Sequence, residues 1–439
     1  MGRRIKERGM HFLLDFHYSD YWADPGQQRK PAAWKDLDFD SLTKAVYDYT
    51  YKVLAKLSEN DALPDMVQIG NEVRSGILFP DGAVPNYQAL AALLNAGIRA
   101  VRDISESIEV MIHLDQGGRF FILRDWFDAM QAAGLEKFDA IGISFYSFWH
   151  GTFKDLKDSM TQLIDRYKLP VYVVETAHPW RHCEKEHVNC EMMKMAGFPA
   201  GVEEQRKSLS LLMQIASEVS HGRKSGVYYW EPLCFTDSGL GSWDENMGMM
   251  DTEGRLLPSI EVFKDFDPAK PVIPDVDKYI EQLYTCKEKD LPPAGTNLIP
   301  EGDLADETTG WWTWRKPDAV EVSSQNGELA FSCLSNFLFE ICRDMRVEKP
   351  GRYRLSVEYR GTNTTGVKVK LFLKRFTCNE EVLCEKDIYP SDIDFVTSTL
   401  NVELPEAGNV RIGLKVEAPP VNGRVRNFRF VEDPSTKEA

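Results

Sequence analysis

The sequence predicts two domains: an α/β domain built on a parallel sheet, followed by an all-β sandwich. Three observations carry that reading. Up to about residue 266, short apolar runs alternate with longer segments of helical period. After Asn297 the pattern changes to period-2 alternation in short runs set off by turn residues. The chain has 439 residues, enough for two domains or for one large barrel with an appendage.

The apolar runs of the first domain predict strands at Phe12–Phe16, Met66–Ile69, Val110–Leu114, Ala140–Phe145, Val171–Val174 and Gly226–Tyr229. Amphipathic stretches between them predict helices at Leu42–Ser58, Asn86–Ser105, Leu156–Tyr167 and Val202–Ser220. Strands buried on both faces and joined by helices imply a parallel sheet, because parallel strands need long crossovers and the crossovers cover the faces. The spacing suits a (β/α)₈ TIM barrel; an open doubly wound sheet would also accommodate six strands. Arg3–Arg8 reads as the last turn of a helix feeding the first strand. The expectation is therefore a barrel lacking its first two βα units.

The barrel domain is expected to span residues 1–266. Residues 267–296 are Pro-rich (Pro268, Pro271, Pro274, Pro292, Pro293) and predict a partly packed linker with one helix near Val276–Lys287. Residues 297–435 predict about eight antiparallel strands, at Ala319–Val322, Glu328–Cys333, Phe337–Ile341, Arg352–Tyr359, Val367–Phe376, Val396–Val402, Val410–Val416 and Arg424–Phe430. That count and spacing predict a β-sandwich or jelly roll.

Acidic residues outnumber basic ones, 68 to 52, for a formal net charge of −16. Non-specific nucleic-acid binding requires positive surface, so no nucleic-acid partner is expected. No apolar run approaches the roughly 20 residues of a membrane-spanning helix, and no membrane partner is expected. The stretch Met10–Leu14 is too short for a signal core and runs into Asp15, so no signal peptide is expected in the chain as written. None of the eight cysteines precedes Cys183, so no disulfide framework defines the fold; Cys378 and Cys384 could staple a hairpin, and buried free thiols are the reading for most.

Each strand of the first domain ends in polar and aromatic residues, at the rim where a parallel barrel places its site. A lone acidic strand end means little among 68 carboxylates. Two glutamates that each follow an apolar run, Glu72 and Glu175, mean more. Glycosidic cleavage needs one protonated carboxyl to assist the leaving oxygen and one ionised carboxylate to attack or to activate water. Asn71 can donate to a sugar hydroxyl, and Trp22, Trp149 and Trp230 offer flat apolar faces for pyranose rings. Taken singly, each Glu reads as an ordinary salt-bridged residue and each Trp as core; taken as a set, they read as a carbohydrate site.

The blocks Asp15-Phe16-His17-Tyr18-Ser19-Asp20, Trp22-Ala23-Asp24-Pro25, Lys30-Pro31-Ala32-Ala33-Trp34, Gln68-Ile69-Gly70-Asn71-Glu72 and Trp149-His150-Gly151 together resemble glycoside hydrolase family 53, the arabinogalactan endo-β-1,4-galactanases. Val174-Glu175-Thr176-Ala177 and Gly241-Ser242-Trp243 extend the likeness in the same order to about Phe263. The resemblance implies a (β/α)₈ barrel, retention of configuration, Glu72 as acid/base and Glu175 as nucleophile. It places these on the fourth and seventh strands of the family's barrel. Here they fall on the second and fifth visible strands, the same interval, as loss of two strands predicts.

It further implies substrate-binding or pKa-tuning roles for His17, Asp20, Trp22, Asn71, His113, Tyr146, Trp149 and Trp230. Some family members bind calcium after the seventh strand through alternating Asp, Asp, His and Asn. Here Cys183 and Lys185 stand where carboxylates belong in Cys183-Glu184-Lys185-Glu186-His187-Val188-Asn189, so neither calcium nor another cofactor is expected.

The opening of the second domain, Asn297-Leu298-Ile299-Pro300-Glu301-Gly302-Asp303 with Gly310-Trp311-Trp312, and the turn Gly361-Thr362-Asn363-Thr364-Thr365-Gly366 resemble the galactan-binding modules of family 61. The resemblance implies a sugar platform among Trp311, Trp312 and Trp314, with at least one of the three in the core. A purely structural sandwich is the other reading. The whole is expected to be a monomeric, extracellular or cell-surface hydrolase acting on β-1,4-galactan. A galactan-binding protein with a degenerate barrel is the alternative, and a relative acting on another β-glycan is a third possibility.

Overall fold

The computed structural model describes residues 1–181, 193, 196–234, 246–284, 296–299, 311–314, 320–325, 328–333, 337–361, 368–376, 379–389, 391, 393–418 and 421–433. They divide into two compact units, one formed by residues 1–186 and 196–280 and the other by 187–195 and 281–439.

The first unit is organised by five parallel strands: β1 (Leu13–Phe16), β2 (Met66–Ile69), β5 (Glu109–Leu114), β6 (Ala140–Ser144) and β7 (Val171–Glu175). They pair in the order β1-β2-β5-β6-β7, the short strands β3 (Gly76–Ile77) and β4 (Gly82–Ala83) forming a separate ribbon. A doubly wound sheet reverses strand order at a switch point; this sheet adds each strand beside the last, which is the progression of a barrel. The sixth expected strand forms no ladder of its own. Its segment runs parallel to β7 through one bridge, Val173 with Val227, and the Trp230 N–H continues the contact to the Thr176 carbonyl at 2.9 Å. Among the described residues β1 pairs only with β2.

Helices Phe39–Ser58, Tyr87–Ile104, Phe120–Ala132, Phe153–Tyr167 and Val202–Val219 make the crossovers. Their starts are chemically marked. The Asp38 carboxylate accepts from the Ser41 N–H at 2.8 Å, and Thr152 with Asp155 closes a reciprocal capping box. Helix Phe120–Ala132 is not among the sequence-predicted elements, although Phe120, Leu123, Trp126, Phe127 and Met130 bury one face at helical spacing. The linker expected at 267–296 is packed over its first half. The Gln214 side chain donates to the Ile273 carbonyl and accepts from its N–H, and Ile273, Val276 and Ile280 are buried.

Among the described residues the second unit holds ten strands in two antiparallel sheets. One contains β9 (Val320–Gln325), β10 (Glu328–Cys333), β12 (Gly351–Gly361), β15 (Val396–Leu404) and β17 (Val421–Glu432), in the order β15-β12-β17-β10-β9. The other contains β8 (Trp311–Trp314), β11 (Phe337–Val347), β13 (Lys368–Phe376), β14 (Glu380–Ile388) and β16 (Gly408–Ala418), in the order β14-β13-β16-β11-β8. Period-2 burial builds the core: Tyr353, Leu355, Val357 and Tyr359 alternate inward along β12 and meet Phe339, Ile341, Leu371, Leu373, Ile412, Leu414 and Phe430. Each such side chain contributes about 1.5–3 kcal/mol on burial.

Trp311 belongs to this core. It is 2% exposed, with its ring 4.4 Å from Phe428, so it cannot serve as part of a sugar platform. The side chains of Trp312 and Trp314 lie outside the described residues, as do Arg315 and Cys378. Cys384 is a free thiol, as the free-thiol reading expects, and Cys342 is free and buried.

Candidate active site

The C-terminal ends of β2, β5, β6 and β7 converge. Glu72 follows β2 through Gly70, whose φ of +80° suits a residue without Cβ; an added Cβ would meet the Val73 side chain at 2.5 Å. Glu72 itself has φ 46°, a left-handed conformation that costs a non-glycine residue about 1–3 kcal/mol. The turn is held from outside: the buried Gln28 amide donates to the Asn71 carbonyl at 2.7 Å. The left-handed bend points the Glu72 carboxyl at β6, where the Ser144 hydroxyl lies 2.5 Å from Glu72 Oε1.

Glu175 ends β7, in register with Ser144 of β6. The buried Tyr146 hydroxyl donates to Glu175 Oε1 at 2.7 Å. Oxygens of Glu72 and Glu175 and a ring nitrogen of His113 all lie within 4.8 Å of one another. Two carboxyls remote in sequence therefore meet, and both are buried at 9% exposure or less.

Burial holds Glu72 well above the ordinary carboxylate range, reinforced by the charges of Glu175 and Asp115 and opposed by the Ser144 hydroxyl. Burial also raises Glu175, to about 7, against the opposing hydrogen bond from Tyr146. Asp115 is pulled the other way. Arg74 grips it with two hydrogen bonds, 2.6 and 2.9 Å, and this pairing overcomes its burial and leaves it below the usual range. Both glutamates thus hold their protons more firmly than an exposed carboxyl does, with an ionised Asp115 beside them.

The expected binding residues divide into several groups. Asn71 and His113 are buried, and protein groups engage both: Asn71 Nδ2 donates to the Ala23 carbonyl at 2.8 Å, and Asn71 Oδ1 lies 2.9 Å from His113 Nδ1. His113 Nε2 lies 2.8 Å from the Ser144 hydroxyl, and burial drops its pKa to about 3, so it is neutral. At 1% exposure His113 is buried beside Glu72, whose backbone N–H lies 3.4 Å from its Nδ1. His17 accepts from the Ala23 N–H at 2.8 Å and pairs with Asp15 at 3.0 Å. That partner outweighs burial and raises His17, with the charge of Glu175 adding in the same sense.

Asp20 is exposed, and one of its carboxylate oxygens braces its own loop, accepting from the Ala32 N–H at 2.6 Å. Trp22 is exposed on the same loop, its ring edge to face with Tyr21. Trp149 is half-buried against Tyr146 and Phe148, and Trp230 is half-buried at the end of the sixth segment.

Ser144, Gln28 and the Arg74–Asp115 pair are the participants that sequence reasoning did not single out. Ser144 carries a faint signal, as the last polar residue of an apolar strand. Residues 183–189, where calcium ligands were weighed, lie outside the described residues. Among the described helices none is long and apolar enough to cross a membrane.

Residues 1–263 match the sequence profile of glycosyl hydrolase family 53. The chain belongs to that family. Arabinogalactan endo-β-1,4-galactanase A of Emericella nidulans is 35% identical over 273 residues, covering 60% of this chain and 77% of that protein. An uncharacterised protein of Niallia circulans is 42% identical over 282 residues, 60% of this chain and 76% of its own. The solved structure of the family 53 catalytic domain from Ignisphaera aggregans is 36% identical and covers 60% of this chain and 76% of that one, with a TM-score of 0.57. In this family 53 chain the profile ends within the first unit, and the converging carboxyls lie inside the matched residues.

Proposed function

We propose that the chain is an endo-acting β-1,4-galactanase that cleaves the (arabino)galactan side chains of pectin with retention of configuration. The observation that carries the reading is the approach of the Glu72 and Glu175 carboxyls to within 4.8 Å, the short separation of retaining rather than inverting glycosidases. The kinship with a named galactanase supports the substrate class.

In the first displacement the Glu175 carboxylate attacks the anomeric carbon as Glu72 protonates the departing glycosidic oxygen. The C–O bond to the leaving chain breaks and a galactosyl ester on Glu175 forms. Glu72, now a carboxylate, takes a proton from water, which opens the ester and returns both groups to their starting states. No cofactor enters the scheme. The second unit is assigned a galactan-binding role, on the resemblance of its opening sequence and of the sequence 361–366 to family 61 modules.

Incubation with linear β-1,4-galactan tests this directly. Short oligosaccharides should appear, and NMR of the fresh products should show the β anomer before mutarotation; initial α anomer would overturn retention. A second reading is a galactan-binding protein without turnover, in which the second unit does the binding. It predicts retarded migration in galactan-containing gels with no product released.

A further inference from the structure

Ser144 has one hydrogen and two acceptors competing for it. Glu72 Oε1 lies 2.5 Å from its oxygen and His113 Nε2 lies 2.8 Å away. Which acceptor receives the hydrogen depends on what His113 presents, and that is settled at the other end of the chain of contacts. A backbone carbonyl can only accept. The Ala23 carbonyl, 2.8 Å from the Asn71 side chain, therefore fixes the amide with Nδ2 toward itself and Oδ1 toward His113.

Oδ1 at 2.9 Å from Nδ1 asks for a proton on Nδ1, which leaves Nε2 as an acceptor. Gln68 Nε2 at 3.1 Å and the Glu72 N–H at 3.4 Å are the longer contacts of Nδ1 and are outranked. The Ser144 backbone is pinned, because its carbonyl accepts from the Gly117 N–H at 2.9 Å and meets His150 Nδ1 at 3.0 Å. Only the hydroxyl hydrogen is left to move.

We propose that Ser144 is a positioning residue that works as a hydroxyl rotor, giving its hydrogen to His113 Nε2 while Glu72 is protonated and turning it onto Glu72 Oε1 when Glu72 is a carboxylate. In the free enzyme the Glu72 acid proton is donated to Ser144 Oγ, whose own hydrogen goes to His113. Once Glu72 has protonated the leaving oxygen, the rotor reverses and stabilises the anion that must next act as base. No proton is exchanged with the relay, and His113 stays neutral throughout. Each form of Glu72 thus finds a matching partner without repacking of a buried site.

The inference rests on the reading of Glu72 as acid/base, and its tests are chosen to fail separately. Other charged or titratable groups facing this cluster are Glu175 on β7, Asp115 and Arg74 beside β5, Asp24 and His17 on the loops after β1, and His150 after β6. None of them is altered in the variants below.

Nitrogen-15 NMR of histidine-labelled protein needs no turnover. His113 should show a protonated Nδ1 and an unprotonated Nε2. The Nε2 shift should move as Glu72 titrates, and Ser144→Ala should abolish that movement. A protonated Nε2, or an Nε2 signal indifferent to pH, overturns the rotor.

On galactan, Ser144→Ala removes the donor that stabilises the carboxylate. The alkaline limb of kcat/KM should rise by about one pH unit, the scale of a hydrogen bond to a charge, and kcat should fall where breakdown of the ester limits. Ser144→Thr keeps the hydroxyl and should restore the native limb. An unmoved limb in a folded Ser144→Ala protein contradicts the proposal. A native protein that releases no oligosaccharide overturns the galactanase reading while leaving the NMR test intact.

Discussion

The sandwich and the two converging glutamates of the first unit treat buried charge in opposite ways. In the sandwich, buried ions are paired: Arg411 grips Asp344 with bonds of 2.6 and 2.9 Å, and Lys374 meets Glu340 at 2.8 Å. In the first unit the two central carboxyls meet hydroxyls instead, Glu72 that of Ser144 and Glu175 that of Tyr146. Paired ions keep their ordinary charge states and support a fold, whereas carboxyls left with only hydroxyl partners are pushed upward in pKa and become available for proton chemistry. Comparable burial therefore yields scaffold in one place and reactivity in the other.

The sharpest way to break that contrast is Glu175→Ala. Removing a covalent nucleophile should lower kcat on galactan by about 10⁴-fold or more. Azide supplied in its place should restore turnover of an activated aryl β-galactoside and give the α-galactosyl azide. Recovery without azide would break the assignment. The matching test in the other unit is Arg411→Met, which strands Asp344 and should destabilise the sandwich by about 3–5 kcal/mol in denaturant melts while the galactanase site keeps its rate. Adding Asp344→Leu should recover most of the loss, since a pair removed together leaves no orphan charge.

These two regions were also unequally legible. Met66–Ile69 and Glu328–Cys333 form the strands expected of them to the residue, because a bounded apolar run and a clean alternation each fit only one buried arrangement. Helix Phe120–Ala132 escaped because it opens on Phe-Phe-Ile-Leu, which reads as a strand until the later turns are counted. β14 escaped because it lies at a sheet edge and is mostly polar. Glu72 and Glu175 stood out as acids after apolar runs, but Ser144 is marked only faintly, as the polar end of an apolar strand, and nothing local marks Gln28. Their roles come from distances across strands, which a linear pattern does not carry. For His113 and Asp20 residue type alone does not show the surroundings: the structure buries His113 beside Glu72 and engages Asp20 with its own loop.

The raised Glu175 has a consequence for stability. A carboxyl whose pKa is higher folded than unfolded favours the fold fully below its unfolded value, near 4.5, and that contribution is lost as pH rises through about 7. The native first unit should therefore lose about 2 kcal/mol between pH 5 and pH 8 from this group alone. Glu175→Gln should flatten the curve and be the more stable protein at pH 8, by thermal melts across that range. Equal slopes for the two proteins would mean that the buried acid carries no such penalty.

The smallest effect isolates burial as the variable. Arg354 meets Asp433 at 2.8 Å in the same sandwich, closely matching the Arg411 pair in chemistry, but the Arg354 side chain is 53% exposed where that of Arg411 is 2% exposed. Water already solvates the Arg354 guanidinium, salt screens it, and holding a long side chain in place costs rotamer entropy. Arg354→Ala should therefore shift the denaturation midpoint by less than about 0.5 kcal/mol, and the shift should vanish in high salt. If it instead cost as much as Arg411→Met, pairing rather than burial would be setting the energy. The contrast between a scaffold of paired ions and a site of unpaired acids would then need another cause.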